Sequence, residues 1–118
     1  MNEEIKSIFG DAVNVNGVDI PFAHLKYKGD SEKFITWTII GEEPSFSAND
    51  EVLYSVASVD IDIFSNGNYL DIVKEIKKRM KNNEWVWTGD SPEMYEDETG
   101  LYHITCSFEK ERFITWQE

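Results

Sequence analysis

The chain has 118 residues, 23 Asp and Glu against 11 Lys and Arg, and a formal charge of −12 with both histidines neutral. The length suits one domain around one core, and a hydrophobic fraction of 41% with 4 Trp, 5 Tyr and 7 Phe is too apolar for a disordered acidic chain. A surface this negative repels phosphate backbones and anionic headgroups, which disfavours ordinary nucleic-acid or membrane grip, and the lone Cys106 excludes an internal disulfide and points to a reduced compartment.

The opening MNEEIKSIFG places acids where a secretory leader carries positive charge, and no apolar run approaches a membrane span. The expectation is a chain made in, and staying on, the cytosolic side. Ile5, Ile8 and Phe9 recur at helical spacing, with Gly10 as the C-terminal cap, so residues 3–9 are expected to form a short helix. Asn14-Val15-Asn16-Gly17 signals a turn, Pro21 leads into an extended segment from Phe22 to Tyr27, and Lys28-Gly29-Asp30-Ser31 turns the chain again.

From Phe34 to Ile40 the run FITWTII is β-branched and aromatic, a strand with Ile35, Trp37 and Ile39 on one face. Residues 41–50, GEEPSFSAND, then look like a functional loop, with Phe46 bulky and outside any periodic core. Residues 52–64 alternate Val59, Ile61 and Ile63 with Ser58, Asp60 and Asp62, the pattern of a long strand with one buried and one wet face. After Ser65-Asn66-Gly67, Asn68 is the expected N-cap of a helix to about Lys81, with Tyr69, Ile72, Val73, Ile76 and Met80 as its apolar stripe. Trp85-Val86-Trp87 is a short strand, residues 89–100 an acidic connection, and Tyr102, Ile104, Cys106 and Phe108 mark a last long strand in keeping with extension through Phe113, Ile114 and Trp116.

This order, α-β-β-β-α-β-β with no βαβ alternation, predicts a single α+β domain over residues 1–118: a mainly antiparallel sheet of about four to five strands with two helices on one face. Charge is segregated along it. Residues 1–67 hold 12 acids and 4 bases, residues 68–83 hold 2 and 5, and residues 84–118 hold 9 and 2. The second helix is thus the one basic element, and Lys74, Lys78 and Lys81 on it are candidates for contact with acidic neighbours; the plainer reading is a solvated, dipole-matched helix face.

Two groups of acids have spacings that bear on chemistry. Asp60 and Asp62, two apart on one strand, share a face at about 6–7 Å, a spacing that a divalent metal and a small hydrolytic site would accept given further ligands, although wet strand positions explain them as well. The Glu96-Asp97-Glu98 cluster lacks the ligand alternation of a known calcium loop. His24 and His103 fall on different strands, Cys106 shares the apolar face with Ile104 and Phe108, and a glycine-rich phosphate loop is absent. No catalytic, metal or cofactor set emerges. Phe46, Phe113, Ile114 and Trp116 are left as bulky groups for contact with another chain or for a tail folding back on its own sheet.

Two stretches, Val59-Asp60-Ile61-Asp62-Ile63-Phe64-Ser65-Asn66-Gly67-Asn68-Tyr69 and Tyr95-Glu96-Asp97-Glu98-Thr99-Gly100-Leu101-Tyr102-His103, carry a family likeness in this order and spacing. Together with the small size and element order, they resemble the tail-terminator, or tail-completion, proteins of long-tailed bacteriophages and Gram-positive prophages, over about Pro21 to Phe108. The resemblance implies a structural virion protein and not an enzyme: a ring of six copies that caps the head-proximal end of the tail tube, with the tail tube protein, the head connector or stopper and further copies of itself as partners. It implies that DNA is met only in transit, and that the protein is made in the host cytoplasm and ends in the virion neck. An acidic bore, for which Asp60, Asp62, Glu96, Asp97 and Glu98 are candidates, would keep the duplex from sticking. Another neck-completion protein, or from a different class a metal-dependent hydrolase using Asp60 and Asp62, are the alternatives.

Overall fold

The computed structural model describes residues 2–46 and 52–115. Helix α1 (Asn2–Phe9) buries Ile5 and Phe9 and stops at Gly10, whose φ of +69° is a left-handed value that glycine adopts at little cost; its N–H donates to the Lys6 carbonyl at 2.7 Å. Strands β1 (Ala12–Val15) and β2 (Val18–His24) form a hairpin about Asn16 and Gly17, both at positive φ (53° and 84°), the geometry that matches the right-handed twist of the flanking strands. Leu25, at φ 68°, breaks the extended run that the sequence suggested would reach Tyr27.

Strands β3 (Lys33–Phe46), β4 (Val52–Ser65) and β7 (Leu101–Thr115) are the long members of the sheet. Helix α2 (Leu70–Asn82) follows β4, and the short strands β5 (Val86–Asp90) and β6 (Met94–Glu96) precede β7. The sheet order is β1-β2-β3-β4-β7-β5, with β6 also on β7. All pairings are antiparallel except β2 with β3, which run parallel over Phe22–His24 against Ile35–Trp37.

The α+β class and the two helices are as the sequence indicates, but the sheet has seven strands and the element order is α-β-β-β-β-α-β-β-β. The undercount comes from β1 and β6, four and three residues long, too short to show a period of two. Residues 41–46 of the expected 41–50 loop are also strand, and 47–50 lie outside the described residues. Gly41–Phe46 continues β3, paired with Leu53–Ser58 of β4 after a one-residue bulge at Ile40. Likewise Gly89 and Asp90 close β5, and Met94–Glu96 form β6, inside what reads as a plain acidic connection.

One core lies between the sheet and the helices. From β4 come Ala57, Val59, Ile61 and Ile63, from β3 Ile35 and Trp37, and from β7 Cys106 and Phe108; α1 and α2 cover them with Ile5, Phe9, Ile72, Val73, Ile76 and Met80. Each fully buried Ile or Phe contributes about 1.5–3 kcal/mol of transfer free energy. Tyr69, expected inside the helix stripe, is its N-cap residue and packs at the core margin, while Asn68 accepts the Leu70 N–H on its side-chain oxygen at 2.9 Å. Beyond β2 and β5 the long strands run on together, and the molecule measures 52 × 25 × 23 Å. There the helix-side face turns polar: Glu4 of α1 pairs with Lys110 at 2.8 Å and with Arg112, and Ser55 donates to Glu42.

Candidate functional site

The period of two sends Thr36 and Thr38 of β3, Asp60, Asp62 and Phe64 of β4, and His103, Thr105, Ser107, Glu109 and Glu111 of β7 to the face that no helix covers. Glu43, beyond the bulge, joins them opposite Val56 and Glu111. On this face the described residues of the three long strands present five carboxylates and neither lysine nor arginine.

Asp60 and Asp62 do share a face, and β7 occupies both. Thr105 Oγ1 donates to Asp62 Oδ1 at 2.5 Å, His103 Nε2 lies 2.9 Å from the same oxygen, and Ser107 Oγ donates to Asp60 Oδ1 at 2.7 Å. The register makes these bonds, since Asp60 faces Ser107 and Asp62 faces Thr105 directly across the strand pair. Carboxylates tied to cross-strand hydroxyls have part of their acceptor capacity already used, and among the described residues no three His, Cys, Asp or Glu side chains converge as a metal would require. At the end of this row four rings stack across the strands: Tyr27 on Phe34 (4.7 Å between centroids), Phe34 on Phe64 (4.6 Å) and Phe64 on His103 (4.1 Å).

The Glu96-Asp97-Glu98 cluster lies apart from that row, in the turn from β6 to β7. Glu96 closes the turn, its carbonyl accepting the Gly100 N–H at 2.8 Å and its carboxylate accepting the Thr99 hydroxyl at 3.0 Å. Asp97 and Glu98 are exposed and have no side-chain partner among the described residues. Nearby, the Tyr69 hydroxyl donates to Glu93, a bond that, with burial adding, pushes its pKa up to about 12.

On α2 the bases divide into two sets. Lys77 pairs with Asp90 at 2.9 Å and lies 4.1 Å over the Trp87 ring, and Arg79 pairs with Glu75 at 2.7 Å. Lys74, Lys78 and Lys81 form one exposed stripe opposite the buried Ile72, Val73, Ile76 and Met80, and none has an acidic partner among the described residues. The i,i+4 spacing of Glu75 and Arg79 is visible in the sequence, but the division is not, because Asp90 becomes the neighbour of Lys77 only through the fold. Below Lys77 and Lys81 an apolar groove is lined by Trp85, Val86, Trp87 and Phe108, and the buried Trp85 Nε1 has no acceptor among the described residues.

Asp90 ties this edge to the core through the Cys106 thiol. Burial works to raise its pKa, but hydrogen bonds from Lys77, Trp87 and Cys106 and the lysine charge outweigh it and hold the carboxyl below its ordinary range. Burial, helped by that same Asp90 charge, pushes the Cys106 thiol up to about 12, the environment of an inert core thiol. The His24 ring lies tilted against Trp37, 4.2 Å between centroids, on the helix side, so the two histidines sit on opposite faces of the sheet. The backbones of Phe46, Phe113 and Ile114 are in β3 and β7, with Phe46 opposite Leu53 and Ile114 opposite the same residue on the other side, so the tail does fold onto its own sheet as far as Thr115. Trp116 lies outside the described residues. The chain matches no protein-family model and no curated protein.

Proposed function

We propose that this protein is a structural virion-assembly protein of the tail-terminator type, a ring of like subunits that caps the head-proximal end of a phage tail tube and joins it to the head connector. The observation that carries the reading is the asymmetry of the sheet: one face sealed by helices, the other uncovered and, among the described residues of the three long strands, bearing five carboxylates and neither lysine nor arginine. A bore faced by Glu43, Asp60, Asp62, Glu109 and Glu111 repels a passing duplex instead of binding it, which is what a conduit for DNA needs. The cross-strand bonds to Asp60 and Asp62 hold that lining in place. The resemblance of the two sequence stretches supplies the biological setting, with the tail tube protein and the connector or stopper as partners.

Electron microscopy of particles made without the protein tests this. Tails of abnormal length are expected; normal free tails beside leaking heads would instead assign it to the head side of the neck, and unaltered particles would overturn the reading. Neutralising Asp60 and Asp62 together as asparagines is expected to leave assembly intact while lowering the yield of infectious, DNA-ejecting particles.

A further inference from the structure

A ring needs two different surfaces on each subunit, one matching the other on the next copy. The edge of the molecule that holds α2, β5 and β6 carries two such surfaces. The first is the Lys74, Lys78 and Lys81 stripe with its adjoining groove, where Val86 and Trp87 are 64% and 50% exposed. The second is the β6–β7 turn, where Met94 and Tyr95, 43% and 54% exposed, lead into Glu96, Asp97 and Glu98. Each combines unpaired charge of one sign with exposed apolar side chains, and the signs are opposite.

Within one chain the two are held apart. The turn sits by the N-terminal end of α2, where Tyr69 bonds Glu93 and Tyr102 contacts both Tyr69 and Tyr95. The groove sits by the C-terminal end, where the Trp85 N–H donates to the Met80 carbonyl at 2.9 Å. The 13-residue helix sets the groove about 20 Å from the turn, with the lysine stripe running along the helix between them.

We infer that the β6–β7 turn of one copy docks on the α2–β5 groove of the next, its carboxylates against Lys74, Lys78 and Lys81 and its Tyr95 against Trp87, the two aromatic side chains that the register turns to the helix side. This contact is head-to-tail, so it propagates around a ring, and it leaves the acidic sheet face free. The inference rests on the assembly reading above in taking a second copy as the occupant.

The test is a charge swap read by sedimentation velocity. The triple variant K74E/K78E/K81E and the triple variant E96K/D97K/E98K each place like charges across the contact, and each is expected to self-associate at least about tenfold more weakly than the native chain. Mixed in equal amounts they restore opposite charges at every junction, and association is expected to return. In about 0.5 M salt, where screening shortens to about 4 Å, both the native and the mixed assemblies are expected to weaken. Native-strength association by either variant alone, or no recovery on mixing two variants whose spectra show the native fold, would overturn this interface while leaving the tail phenotype as a separate test of the function. A native chain that stays monomeric at every concentration would overturn the interface as well.

Discussion

Along β4, Val59, Ile61 and Ile63 are fully buried beneath the helices, whereas Asp60 and Asp62, one residue away in each direction, lie on the uncovered face bonded to Ser107, Thr105 and His103. The same backbone thus builds the part of the molecule that supplies stability and the part available for function. Because strand side chains alternate strictly, substitutions on one face are insulated from the other. On the proposed reading, the charged wall can therefore vary without loss of the fold.

The largest contrast between the faces is kinetic. At a pH near 8 the Cys106 thiol, raised from 9.0 to about 12 and buried on the helix side, is expected to react with a thiol reagent about a thousandfold more slowly than in the unfolded chain, so that labelling follows unfolding. Ready labelling of the native protein would place that face in solvent. Next comes a pair of neighbouring truncations followed by denaturant unfolding. Ile61→Ala is expected to cost about 2–5 kcal/mol, and Asp62→Ala about 0.5–1.5 kcal/mol, since water can replace its bonds on the open face.

The ion pairs give smaller effects. Burial of Glu4 works to raise its pKa, but its hydrogen bonds and charge pairing with Lys110 and Arg112 prevail and lower it from 4.5. A folded-state pKa below the unfolded one means stability that is present above pH 4.5 and lost as pH falls through the lower folded value. Glu4→Gln is therefore expected to cost about 1 kcal/mol at neutral pH and to narrow the gap from the native chain as acid is added, as thermal melts across that range will register. The smallest contrast lies within α2: Lys77→Ala loses the Asp90 pair and the Trp87 contact, about 0.5–1 kcal/mol, while Lys78→Ala is expected to leave the monomer's stability unchanged.

Residues with regular spacing over a long element were legible before the structure. The alternation of β3, β4 and β7 and the stripe of α2 placed most of the core residues, though not Val13, Ile20 or Trp85, and they placed Asp60 and Asp62 together on a wet face. What sequence could not supply was pairing. The parallel join of β2 to β3, the three- and four-residue strands, and the extension of β3 through Gly41–Phe46 depend on partners distant in the chain, and Gly41 and Pro44 argue locally for a loop. The candidate site followed the same division. Its acids were visible, but that Thr105 and Ser107 occupy them, and that Asp90 takes Lys77 while Lys74, Lys78 and Lys81 have no acidic partner among the described residues, follows from register and packing alone.

The most direct test of the account is an image of the assembled neck by electron cryomicroscopy, at a resolution that separates helices from sheet. The account predicts a closed ring of six copies with the Asp60 and Asp62 row facing the bore and α2 on the flank between neighbours. A ring with α2 lining the bore and the open sheet face turned outward would contradict it.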